Sequence, residues 1–218
     1  MPDLELPDFL WAPSTEREAR AAVAGAATPP PNPGRGRVPG EPGVWIFLLG
    51  DMSLFGAFFV VFTWENRQDR ELFAAATQAL HQPIGAVNTF VLLLSSYLVV
   101  RALAATRAGR PAPARRLLAG AIGCGLVFGA LKAVEYALEI GGGHTPATSA
   151  FFTFYFVLTG VHLLHVVIGM SLLALWWRRL GTADGAGELL SASAGAYWHM
   201  VDLLWVLIFT LLYLVCVV

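Results

Sequence analysis

The chain has 218 residues, 56% hydrophobic and 13% charged, with a formal net charge of −1. That apolar excess is more than a water-soluble domain of this length carries, and basic residues clustered among aromatics, as a nucleic-acid groove needs, are missing. The two cysteines, Cys124 and Cys216, offer no disulfide framework or metal spacing and are expected to pack as small apolar groups.

Residues 1–42 are polar, partly acidic and then rich in Pro and Gly, as in ATPPPNPGRGRVPGEPG. Such a composition resists a packed core, so a disordered cytoplasmic tail and linker is expected. A basic start followed by an apolar stretch is lacking, so no cleavable secretory signal is expected either.

Residues 43–218 hold five apolar runs, at about 44–64, 84–104, 117–140, 150–177 and 197–217. A bilayer core takes about 20 residues of helix. Runs of this length without period-two alternation form helices, not barrel strands. The expected fold is all-α: a polytopic membrane bundle of five transmembrane helices, with sequential helices as neighbours. Internal repeats and broken helix pairs are not visible, which argues against a secondary transporter.

Arg17, Arg20, Arg35 and Arg37 in the tail, Arg107, Arg110, Arg115 and Arg116 after the second run, and Arg178 and Arg179 after the fourth lie on one side. The other side has only Arg67 and Arg70, offset by Glu65, Asp69 and Glu71. The positive-inside rule therefore places the N-terminus in the cytoplasm and the C-terminus outside.

Ionisable residues inside the runs are the candidate functional groups. Insertion scales charge about 2.5–3.5 kcal/mol for an Asp or Lys at a helix centre. The first run carries twelve Leu, Ile, Phe or Val residues, each contributing about 0.3–0.6 kcal/mol, so it inserts in spite of Asp51. Asp51 reads either as a proton-exchanging carboxyl or as an acid hydrogen-bonded to a neighbouring helix.

In the third run, Lys132 and Glu135 are three apart and can form an ion pair on one helix surface. Glu135, with Tyr136 toward the outer half, could instead face a partner or a lipid headgroup. His162 and His165 share one turn near mid-membrane. They read as metal or haem ligands, or as hydrogen-bonding groups at a helix interface where Thr159, Gly160 and Gly169 allow close approach. In YWHMVDLLW, His199 and Asp202 are again three apart, while Trp198, Asp202 and Trp205 form one stripe. With the fifth run starting at 197, His199 is expected at the cytoplasmic boundary, at a different depth from His162 and His165, and Trp198 as an interfacial anchor.

Taken together, FFTFYFVLTGVHLLHVVIG, YWHMVDLLWVLIFTLLY, NTFVLLLSSYLV and KAVEY resemble, in order, the subunit III family of haem-copper respiratory oxidases, in its short five-helix branch. By that resemblance Asp51, in LGDMSLFGAFF, takes the place of the family's buried carbodiimide-reactive glutamate. The resemblance implies a non-catalytic subunit of a cytochrome c oxidase-type complex in the bacterial inner membrane. Such a subunit supports assembly, proton uptake and turnover stability of subunit I. Haem and copper would reside in subunit I, with no cofactor here beyond a possible bound phospholipid, and the partners would be oxidase subunits and membrane lipids, not nucleic acid. Asp51, Glu135, His162, His165, His199 and Asp202 would be polar tuning groups, none of them catalytic or metal-binding. The alternatives are the same role beside a nitric-oxide reductase, an independent b-type cytochrome using His162 or His165, and a proton conductor built on Asp51.

Overall fold

A computed structural model describes residues 42–181 and 186–214. The expected tail over residues 1–41 and the position of Cys216 lie outside the described residues. Among the described residues six α-helices follow one another: α1 (Pro42–Gln68), α2 (Arg70–Ala79), α3 (Gln82–Arg107), α4 (Pro111–Gly141), α5 (Ala150–Arg179) and α6 (Ala186–Phe209), the last closing in a π-helical turn at Thr210–Leu214. Among the described residues there is no strand. All but α2 are long and apolar enough to cross a bilayer, as the five runs led one to expect.

Helix ends follow local chemistry. Pro111 opens α4, where a missing N–H matters least, and Gly109, at φ 65°, makes the turn before it. Ser149 caps α5 by accepting from the Phe152 N–H at 3.4 Å. Gly143, at φ 86°, ends the turn that follows α4. At the arginine-rich end, Arg115 donates to the Leu180 carbonyl at 2.9 Å, tying the start of α4 to the end of α5.

Two features depart from the sequence expectation. The short helix α2 was not marked. Asp69 caps it by accepting from the Leu72 N–H, and its apolar side buries Phe73 against Phe62 and Phe151 at ring distances of 5.4 and 5.6 Å. The fifth crossing stretch begins at Leu189 instead of 197. Small residues in SASAGA dilute the hydropathy there, yet Ser191 and Ala194 are buried because small side chains let neighbours close in.

The centre of the bundle is α6, whose crossing stretch is 56% buried; that of α1 is 11% buried, so α1 is peripheral. Close approach of α5 and α6 depends on Gly169, where a Cβ would come within 2.7 Å of the Trp198 ring. Trp198 is therefore a fully buried packing group and not the interfacial anchor expected.

Candidate functional site

Charge inside the bundle is concentrated on one face of α4. Lys132, Glu135 and Glu139 follow at i, i+3 and i+7, and all three are buried. Lys132 Nζ lies 3.1 Å from Glu135 Oε2, the ion pair expected from their spacing. Lys132 also donates to the Tyr155 hydroxyl on α5 at 3.2 Å and sits 4.7 Å from the Tyr155 ring centre and 5.4 Å from that of Trp205. Glu135 accepts a hydrogen bond from the Tyr213 hydroxyl in the π-helical turn. Two hydroxyls, from α5 and the π-helical turn, together with the rings of Tyr155 and Trp205, thus support a pair that in hydrocarbon would otherwise be strongly disfavoured. The alternative that Glu135 faces a partner or a lipid headgroup fails, because its side chain is fully enclosed. Tyr136 turns to Thr159, with 2.6 Å between the oxygens.

Glu139, one turn beyond, was not singled out from sequence. Its Oε1 is 3.3 Å from His81 Nδ1 and its Oε2 is 2.9 Å from His144 Nδ1. Both histidines come from the connections at the α4 C-terminal end, and the ring of His144 stacks on Phe152 at 4.4 Å. The only sequence signal for Glu139 is its place on the Lys132–Glu135 face.

His162 and His165 do not form one site. His165 points to α1: its Nδ1 lies 2.8 Å from the Val161 carbonyl and its Nε2 is 3.4 Å from Asp51 Oδ2. The bond to Val161 uses the Nδ1 proton. That leaves Nε2 facing the Asp51 carboxyl, which sets an imidazole of α5 against a carboxyl of α1. Tyr197 stacks on the other face of this contact, 6.5 Å from the His165 ring, and Phe55 meets it edge-on at 5.5 Å.

His162 is enclosed between Phe128 and Trp205, at ring distances of 5.7 and 5.3 Å. Because α6 starts at Ala186, His199 lies thirteen residues into the helix (199 less 186), about 20 Å along its axis. The expectation that His199 begins the helix is thus corrected, and with it the depth mismatch. What keeps the imidazoles apart is direction. His199 Nδ1 bonds Ser96 Oγ on α3 at 2.7 Å, whereas Trp205 is the α6 residue that meets His162. No hydrogen bond or ion pair joins His199 to Asp202 among the described residues. Asp202 is buried beside Ser96, and neither carboxyl oxygen has a well-aligned partner. Among the described residues no three His, Cys, Asp or Glu side chains are grouped to hold a metal ion. A planar macrocycle on His162 would have to displace Phe128 or Trp205.

Two apolar grooves flank the inner half of α1. One, of about 540 Å³, lies against α5 and α6 between Phe47, Ile168, Leu172, Leu190 and Tyr197. The other, of about 440 Å³, lies against α3 and α6 between Trp45, Met52, Leu103 and His199, with Arg107 at its rim.

A family model described as "Cytochrome c oxidase subunit III" matches residues 39–217. The "Probable quinol oxidase subunit 3" of Staphylococcus haemolyticus (strain JCSC1435) is 28% identical over 177 residues, covering 79% of this chain and 87% of the relative. The protein of the same description from Staphylococcus aureus (strain USA300) is 29% identical over 177 residues with the same coverage.

Proposed function

The chain belongs to the cytochrome c oxidase subunit III family, an accessory subunit of a bacterial haem-copper oxidase set in the membrane with other oxidase subunits, and from that premise we propose that it sustains the turnover of subunit I. Subunit I is the direct partner and holds the haem and copper. This chain contributes no redox centre and acts by keeping protons and lipid ordered beside that partner. The relatives described as quinol oxidase subunits support an oxygen-reducing, quinol-fed complex over a nitric-oxide reductase.

The observation that carries this reading is the Asp51–His165 contact. It sets a carboxyl of the peripheral helix α1 against an imidazole of the bundle. A structural tie needs no titratable pair, whereas a group that takes up and returns protons does. The groove with Arg107 at its rim has the form a phospholipid requires, an apolar slot for an acyl chain with a cation at headgroup level.

Deletion of this chain tests the reading. The oxidase purified from the deletion strain should still reduce oxygen but lose activity faster during sustained turnover, and complementation with the chain should restore its lifetime. Equal lifetimes with and without the chain would contradict the role.

A further inference from the structure

The core of the bundle is polar in one half and apolar in the other. Lys132, Glu135 and Glu139 of α4, Asn88 of α3, His162 of α5 and Asp202 of α6 are all buried. Their levels are set by cross-helix contacts. Trp205 donates to Thr89, next to Asn88, at 3.1 Å, meets the His162 ring and meets Phe128, one turn from Lys132, at 4.7 Å. Asp202 lies three residues from Trp205, about 4.5 Å toward the cytoplasmic side. The polar groups therefore form one column from mid-membrane to the outer end. Among the described residues no buried Asp, Glu, Lys or His side chain lies closer to the cytoplasm than Asp202 and His165.

Hydrogen bonding in this column is incomplete. Both ring nitrogens of His162, both amide atoms of Asn88 and both oxygens of Asp202 are buried without an aligned protein partner. Native interiors leave few such atoms, and internal water is the usual means of satisfying clustered ones. In the inner half the unpartnered atoms are scattered single ones, Asp51 Oδ2 on the peripheral helix α1 and one ring group each of Trp176, Trp198 and Tyr197.

The outer end of the column reaches solvent. Glu139 is enclosed, but the His81 and His144 side chains that contact its two oxygens are 48% and 32% exposed. From Glu139 to Glu135 is one helical turn, about 6 Å of rise, a gap that one water spans. The inner end is shut. Trp198 fills the space beside Gly125 and Gly169, where an added Cβ would come to 3.2 and 2.7 Å of its ring.

We propose that the outer half of the core is an aqueous well. Water enters beside Glu139 between His81 and His144 and continues past Glu135 and Lys132 to His162, Asn88 and Asp202. It exchanges protons with the outer phase and is closed to the cytoplasm by Trp198. The groups facing it are His81 from the α2–α3 connection, Asn88 from α3, Lys132, Glu135 and Glu139 from α4, His144 from the α4–α5 connection, Tyr155 and His162 from α5, and Asp202 and Tyr213 from α6 and its π-helical turn. The well does not depend on which subunit is the partner of this chain.

Radiolytic footprinting of the purified complex in oxygen-18 water tests it, because a brief X-ray pulse oxidises buried side chains only where water lies against them. Peptide mass spectrometry should find labelled oxygen on His162 and Tyr213 but none on Trp198, although all three are fully buried. Glu139→Leu, which plugs the mouth with a side chain of similar volume, should abolish the label on His162 and Tyr213 while leaving it on His144. Three results would overturn the well: His162 and Tyr213 as unlabelled as Trp198, all three labelled alike, or labelling that survives Glu139→Leu. If that variant does not assemble, the comparison within the unaltered chain decides alone.

Discussion

His165 on α5 lies 3.4 Å from Asp51 on α1, and its other ring nitrogen is held by the carbonyl of Val161 one turn earlier. The imidazole is thus oriented by its own helix and presented to a carboxyl on the helix that is least buried in the bundle. That contact sets a polar pair between α1 and the packed core, beside the aromatic packing of Phe55 and Phe62.

Asp51→Asn keeps the size but removes the ionisable carboxyl. It is expected to insert and fold with stability within about 1 kcal/mol of the parent, the range of one hydrogen bond, while the oxidase inactivates faster in turnover. Assembly yield and activity lifetime measured together across pH check this. A lifetime that matches the parent at every pH would reduce Asp51 to a packing residue.

Glu135→Gln should be strongly destabilising, by about 3–5 kcal/mol, because it leaves the Lys132 ammonium buried without a counter-charge. Replacing both, as Lys132→Met with Glu135→Leu, should recover much of the loss. A double-mutant cycle on thermal unfolding in detergent gives the coupling between them, which is expected to exceed that of an exposed pair.

Gly169→Ala and Gly160→Ala should differ sharply. At Gly169 the new Cβ meets Trp198 at 2.7 Å, whereas at Gly160 the nearest atom is the Tyr136 hydroxyl at 3.8 Å. The first should lose about 1–3 kcal/mol by overpacking and the second should be close to neutral. Melting temperatures of the two variants compare them directly.

Arg107→Gln removes the cation at the rim of the groove against α3 and α6. Phospholipid retained through purification should fall, and lipid mass spectrometry of the complex measures it. Retention equal to that of the parent would place any bound lipid elsewhere.

The five crossings were legible because a bilayer demands long uninterrupted apolar helices, a constraint hydropathy reads directly. The start of α6 was not, since Ser, Gly and Ala in SASAGA pack tightly without raising hydropathy. Nor was α2, whose ten residues are too few for a crossing. Within the site, Lys132 and Glu135 could be paired from sequence because both lie on one helix turn. Asp51 and His165 were each recognisable as buried polar groups, but 114 positions separate them (165 less 51) and no spacing rule joins residues on different helices. Glu139 was missed for the same reason, as its partners His81 and His144 come from separate connections.

The account rests on a chain that serves a redox partner without holding a redox group of its own. Affinity purification through a tag on this chain, followed by visible spectroscopy of the complex and then of the separated chain, tests that most directly. The expected result is a stoichiometric haem-bearing subunit I in the complex and no Soret absorbance on the isolated chain. A chain that purifies alone with a tightly held haem, lost when His162 and His165 are both replaced, would contradict it.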